Sequence, residues 1–253
     1  KLAKYLYDRF MSDFDSEANI LDIGCSTGKA LNMFSEFGSL NLFGVDLREE
    51  DTPAHITFKT VDIERIMDLL RSNLPPSCYD GLRNVYFGQF DVLKKRKLTA
   101  LHYEDNIYVD NKQNDEKDFL DDLVHEFAHR FEENHGEEIY EDGKIVNEFL
   151  GKRNRLYDLL KQEGIELNYF DFLNVEYDRD FDMFLYEKVG YKLIENIAPT
   201  LFIRAYAATS VREYFATGFE SYFLEGAHKI KEISPQLYLK IKTIDGTSNF
   251  NIE

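Results

Sequence analysis

The chain has 253 residues, enough for one large or two small domains, and its 47 Asp plus Glu against 30 Lys plus Arg leave a formal net charge of −17. At 43% hydrophobic and 15% aromatic it is too rich in core-forming side chains for a disordered acidic tail, and the carboxylate excess argues against nucleic acid as a general partner and for cations or basic peptides. Cys25 and Cys78 make no disulfide framework, and no run approaches the roughly 18 consecutive apolar residues of a membrane span. The expectation is a soluble protein, with secreted and assembly-associated locations both open.

Residues 1–14 carry Leu2, Tyr5, Leu6, Phe10 and Met11 at helical spacing. Residues 18–23 read as a short strand running into Gly24-Cys25-Ser26-Thr27-Gly28, then 29–37 as a helix, 42–47 as a second strand and 56–62 as a third. Residues 64–73 read as helix, Pro75-Pro76-Ser77 punctuates, and 84–90 with 98–109 read as a strand pair, the second turning near Glu104-Asp105-Asn106. The strongest helix is 115–133, with Phe119, Leu120, Leu123, Val124, Phe127 and Phe131 on one face. From Asn147 onward the pattern is mostly helical, broken at Gly164, Pro199, Gly226 and Pro235. The basic cluster Lys94-Lys95-Arg96-Lys97 reads as a solvated turn, and the aromatic, acidic stretch 168–191 as half-buried helices or a docking surface.

His125-Glu126-Phe127-Ala128-His129 is an H-E-x-x-H sequence. Residues four apart share a helix face, which points two imidazoles at one Zn²⁺ and leaves Glu126 beside the water to be activated. A third ligand is needed. His135 lies six residues after His129, as in metzincins, but Glu132 stands where that pattern has a turning Gly, and a continuing helix carries His135 about 9 Å further along its axis. The rival is Glu213, in an E-x-x-A stretch (Glu213 to Ala216) on a second apolar helix, as in gluzincins, with Glu220 behind it as a further carboxylate.

The pentapeptide together with Tyr206-Ala207-Ala208-Thr209-Ser210-Val211-Arg212-Glu213-Tyr214-Phe215-Ala216 resembles the catalytic domain of the anthrax lethal factor family of zinc peptidases. The resemblance covers residues 64–253 and implies a zincin-like α+β peptidase domain, mostly helical with a small sheet, one strand of which immediately precedes the metal helix; residues 99–109 are the candidate. It implies His125, His129 and Glu213 as zinc ligands and Glu126 as general base. In that family a Tyr facing the metal lies seven residues before the Glu ligand, and Tyr206 stands there, implied to donate a hydrogen bond to the developing oxyanion or leaving group. Glu213 follows His129 by 84 residues, longer than the family pattern, with the excess assigned to 168–191.

Residues 20–28, Ile20-Leu21-Asp22-Ile23-Gly24-Cys25-Ser26-Thr27-Gly28, resemble motif I of the Rossmann-like S-adenosylmethionine-dependent methyltransferases. The resemblance implies Asp22, Gly24 and Gly28 around the cofactor, Asp46 at its ribose hydroxyls and Asp62 near the adenine. It covers only residues 1–63, about half the strands such a sheet needs, and no acceptor-site stretch follows Asp62. A degenerate packing or interaction module, a nucleotide-binding regulator and an active methyltransferase are the open readings.

The sequence therefore leads us to expect a partial methyltransferase-like α/β segment over 1–63 and a lethal-factor-like zinc metalloendopeptidase over 64–253, whose acidic rim suits peptide or protein substrates rich in Lys and Arg. The rivals are a non-catalytic component of a larger, for example phage-associated, assembly and a methyltransferase.

Overall fold

The computed structural model describes residues 19–23, 41–45, 63–88, 90–96, 98–103, 105–110 and 116–246. Gly24, Gly28, Asp46 and Asp62 lie outside the described residues, as do the expected helices 1–14 and 29–37 and the strand 56–62. Among the described residues the architecture is α+β, mostly helical with one small sheet. No helix among the described residues is long and apolar enough to cross a membrane. The chain divides into two compact units, Lys1–Leu70 with Tyr79–Phe127, and Arg71–Cys78 with Ala128–Glu253.

The first unit holds the sheet. Strands β1 (Asn19–Ile23), β2 (Asn41–Val45), β3 (Asn84–Gly88), β4 (Ala100–Tyr103) and β5 (Asn106–Asp110) lie in the order β1-β2-β3-β5-β4. Neighbours pair in parallel except β4, which runs antiparallel to β5 and forms the edge, with Leu101 opposite Tyr108 and His102 opposite Ile107. This sheet takes strands from both sides of residue 63. The interior strand β3 is buried on both faces from Val85 to Gly88, as a parallel strand with neighbours on each side requires, whereas β5 alternates, burying Ile107 and Val109. Helix α1 (Ile63–Asn73) contributes Ile66 and Leu70 to this core. Helix α2 (Asp91–Arg96) forms where a turn is expected from sequence: Asp91 lies in its first turn and Lys94, Lys95 and Arg96 in its last, each complementing the helix dipole, while Leu93 is buried.

Helix α3 (Glu116–Tyr140) starts with Glu116 and Asp118 in its first turn. Its apolar stripe is buried as expected at Phe119, Leu123, Val124, Phe127 and Phe131, whereas Leu120 is only half-buried and Ala128 is buried beside them; the Phe87 and Phe119 rings are 5.2 Å apart. It runs past Glu133, where the polar run Glu132-Glu133-Asn134 suggests an end, because Ile139 is buried beyond it; the change of direction is taken up by a kink at His135 (φ −124°, ψ 20°).

The second unit is helical: α4 (Lys144–Gln162), α5 (Tyr169–Leu173), α6 (Arg179–Met183), α7 (Tyr191–Ile197), α8 (Val211–Glu220), α9 (Ala227–Ile233) and α10 (Pro235–Ile244), with π-helical turns at Phe184–Val189 and Ser221–Glu225. Pro235, read from sequence as a break, opens α10, where its missing N–H costs nothing. The first N–H groups of α10 donate to the Glu148 carboxylate, from Gln236 at 2.9 Å and Leu237 at 3.2 Å, and the Tyr214 hydroxyl donates to the same group at 2.8 Å. One carboxylate thus ties α4, α8 and α10.

Gly218 lets α8 pack closely on its neighbours: a Cβ there would lie 2.3 Å from Leu237 Cδ2 and 3.2 Å from Ile230 Cδ1. Gly218→Ala therefore gains helix propensity but overpacks. The expected outcome is a net destabilisation of about 1–3 kcal/mol by urea unfolding.

Candidate metal centre

The two histidines of the metal motif sit one turn apart on α3, on the partly exposed face left between its buried residues. Glu213 comes from α8, and local sequence explains its place. Ser210 is the N-cap, its Oγ accepting from the Glu213 N–H at 3.1 Å, which sets Glu213 at the third position of the helix, where a carboxylate is favoured by the helix dipole. Ahead of it Ala205–Ala208 forms a single 3₁₀ turn carrying Tyr206, closed by the Thr209 N–H and Oγ1 donating to the Tyr206 carbonyl at 3.0 and 2.9 Å. The spacing of seven residues is one 3₁₀ turn, a cap and the first turn of a helix.

His125, His129 and Glu213 each offer a ligand atom, and these atoms lie within 4.8 Å of one another. His129 Nε2 is 3.4 Å from Glu213 Oε1, beyond the roughly 2.7–3.2 Å of a hydrogen bond. It matches instead the edge of a tetrahedron with bonds of about 2.1 Å, which is about 3.4 Å. Two imidazoles and a carboxylate are also the donor set of many catalytic zinc sites, so residues and spacing both fit that ion. The His129 and Glu213 side chains are 15% and 13% exposed, low enough to strengthen electrostatics and high enough to admit water.

No family model, curated protein or solved structure matches the chain. What the centre can do therefore rests on its residues.

Glu126, the neighbour of His125, has its Oε2 accepting a hydrogen bond from the His102 N–H of edge strand β4. Tyr206 has its hydroxyl pKa raised, first by burial and then by the negative charges of Glu213 and Asp182, so it stays protonated and remains a donor. Its ring meets Tyr191 edge-on, centroids 6.2 Å apart, while Tyr177 and Tyr191 each donate to Asp182 at 2.8 Å. Burial, followed by the hydrogen bond to Asp182, pushes the Tyr177 hydroxyl up to about 12. The stretch 168–191 thus supplies neighbours to Tyr206, and only part of it is core: Phe172 and Phe181 are buried, Phe170 and Tyr186 exposed.

The other ligand candidates have separate partners. His135 stacks on Phe131 one turn back, centroids 4.3 Å apart, with Nδ1 3.6 Å from Glu138, while Glu220 is buried in an ion pair with Arg204. Asp22 lies in β1, in register with Gly44.

Glu132 is absent from the sequence-based site. Its side chain is 4% exposed, Oε2 lies 3.7 Å from His129 Nδ1 and accepts from Arg212 Nε at 2.8 Å, and Oε1 accepts from the Tyr140 hydroxyl. Burial opposes its ionisation, but the nearby His129 imidazole and the hydrogen bonds from Arg212 and Tyr140 outweigh it and hold the carboxyl below the ordinary range. The available signal was its position three residues after His129, on the same helix face.

Proposed function

We propose that the chain is a zinc-dependent metalloendopeptidase of the lethal-factor-like gluzincin type, with His125, His129 and Glu213 as zinc ligands. The observation that carries this reading is the convergence of three ligand atoms of the right kinds from two helices, 84 residues apart in sequence between His129 and Glu213. Zinc, when bound, supplies a Lewis acid that lowers the pKa of a water and polarises the scissile carbonyl.

The remaining work belongs to side chains. Glu126 takes a proton from the attacking water and returns it to the leaving amine. Tyr206, kept protonated by its surroundings, donates to the oxygen on which negative charge grows, a contact that counts because it strengthens in the transition state. Among the described residues β4 pairs with no strand besides β5, so its far side would take an extended peptide, and the His102–Glu126 hydrogen bond links that strand to the base. Basic peptides suit the acidic chain best.

For the N-terminal segment the packing-module reading is preferred over S-adenosylmethionine binding. The supporting observation is that β1 and β2 extend the same sheet whose far edge is β4.

The test is metal analysis by mass spectrometry joined to cleavage of a peptide library. One zinc per chain is expected, with cleavage that stops on chelation and returns with zinc. A chain that takes up no zinc overturns the reading, and one that binds zinc but cleaves nothing favours the non-catalytic assembly component.

A further inference from the structure

We propose that Glu132 is a positioning residue for the metal centre, orienting His129 through its Nδ1–H and, through Arg212, fixing the first turn of α8 from which Glu213 projects. This rests on the zinc reading above.

A carboxylate at 4% exposure needs a reason, because an ion pair buried merely to hold two helices together is no better than well-packed apolar residues there. Its partners supply that reason. His129, three residues back, turns Nδ1 toward Glu132 Oε2 at 3.7 Å while Nε2 faces Glu213 at 3.4 Å, so the ring's two nitrogens point to different carboxylates. Only about 0.5 Å separates the first contact from hydrogen-bond range, a shift within reach of a small ring rotation. An Nδ1–H directed at a carboxylate fixes the tautomer that leaves Nε2 unprotonated, the form a metal requires.

The same Oε2 accepts from Arg212 Nε at 2.8 Å, and Arg212 is the residue before Glu213. Tyr140 adds a donor to Oε1 from beyond the His135 kink, which falls between it and Glu132; a straight helix would separate the two by about 12 Å of rise. The arrangement sets one imidazole ligand and the backbone of the carboxylate ligand from a single anchor.

The experiment measures Zn²⁺ affinity of the full chain by competition with a chromophoric chelator, alongside the rise in Tm that saturating Zn²⁺ produces. Glu132→Gln keeps shape and removes charge, and a 10- to 100-fold loss of affinity is expected with a smaller zinc-induced rise in Tm. Arg212→Gln, at a half-exposed site that tolerates change, should weaken binding by a smaller factor, and the double variant should lose less than the product of the two. A merely structural Glu132 would lower the metal-free Tm and leave the affinity and the zinc increment as in the wild type, which overturns the proposal. Should Glu132→Gln fail to fold, unchanged affinity in Arg212→Gln overturns it equally. A wild-type chain without zinc affinity sinks the zinc reading itself, a result distinct from zinc bound equally by wild type and variants.

Discussion

On the proposed zinc-peptidase reading, Glu126→Gln is expected to remove peptide hydrolysis while zinc stays bound. The substitution preserves volume, and the Gln side-chain oxygen can still accept the His102 N–H, so the link between α3 and β4 survives. What is lost is a group able to take a proton from water and pass it on. General acid–base catalysis contributes about 10²–10⁴-fold, and in the proposed mechanism one residue serves both halves of the transfer, so kcat should fall about 10³-fold or more. KM should change little, because no substrate contact is removed. Steady-state kinetics on a cleaved library peptide, with metal content measured on the same preparations, checks both. Hydrolysis surviving in E126Q would exclude Glu126 as the base; loss of zinc together with activity would make Glu126 a support of the metal site.

The helix that carries this site was legible for a simple reason. The 3.6-residue period alternates buried Leu123, Val124, Phe127 and Ala128 with partly exposed His125, Glu126 and His129, and periodicity of that kind survives without tertiary information. The reversal near residues 104–106 within the expected strand 98–109 was legible too, because β4 and β5 are antiparallel partners close together in sequence. The attachment of β1 and β2 to β3 was not: parallel pairing is non-local, and a strand's own residues do not name the sheet it joins. Polar residues that work from inside were the hardest. Glu132 lies two residues after Arg130 and opens the polar run Glu132-Glu133-Asn134, which reads as solvated; its burial depends on Arg212 and Tyr140, neither of which is a neighbour in sequence. Arg153 hides in the same way within Lys152-Arg153-Asn154-Arg155, although it completes a stripe with Ile145, Phe149, Leu156 and Leu160 along α4. In each case the charge is what sequence reports, and the donors or acceptors that make burial tolerable arrive only with the fold.

Arg153 carries the second large effect. It is fully buried, and its guanidinium donates to four backbone carbonyls: Asp171 at 2.9 Å, Asn174 at 2.7 Å, Ala208 at 2.8 Å and Thr209 at 2.9 Å. The first pair lies at the C-terminal end of α5 and the second at the end of the 3₁₀ turn bearing Tyr206, so one side chain satisfies carbonyls that two helix ends leave without intrahelical partners. Its plane also lies over the Phe181 ring, 4.2 Å from the centroid. Burial lowers its pKa to about 10, still well above neutral, so the group is a cation at pH 7. Arg153→Met fills most of the volume and strands those carbonyls, and the expected loss is about 3–5 kcal/mol, a large share of the roughly 5–15 kcal/mol that holds a typical domain together. Arg153→Lys restores charge but replaces a planar fork with a single nitrogen, and should recover less than half of that loss. Urea unfolding of the three proteins measures the ladder. Because Ala208 and Thr209 frame the turn beneath Tyr206, Arg153→Lys should also lower kcat under conditions where it is fully folded, whereas a purely global role would leave kcat per folded molecule unchanged. Equal stability of Arg153→Met and wild type would mean that water reaches those carbonyls, and the guanidinium would then be only one of several ways to close the two helix ends.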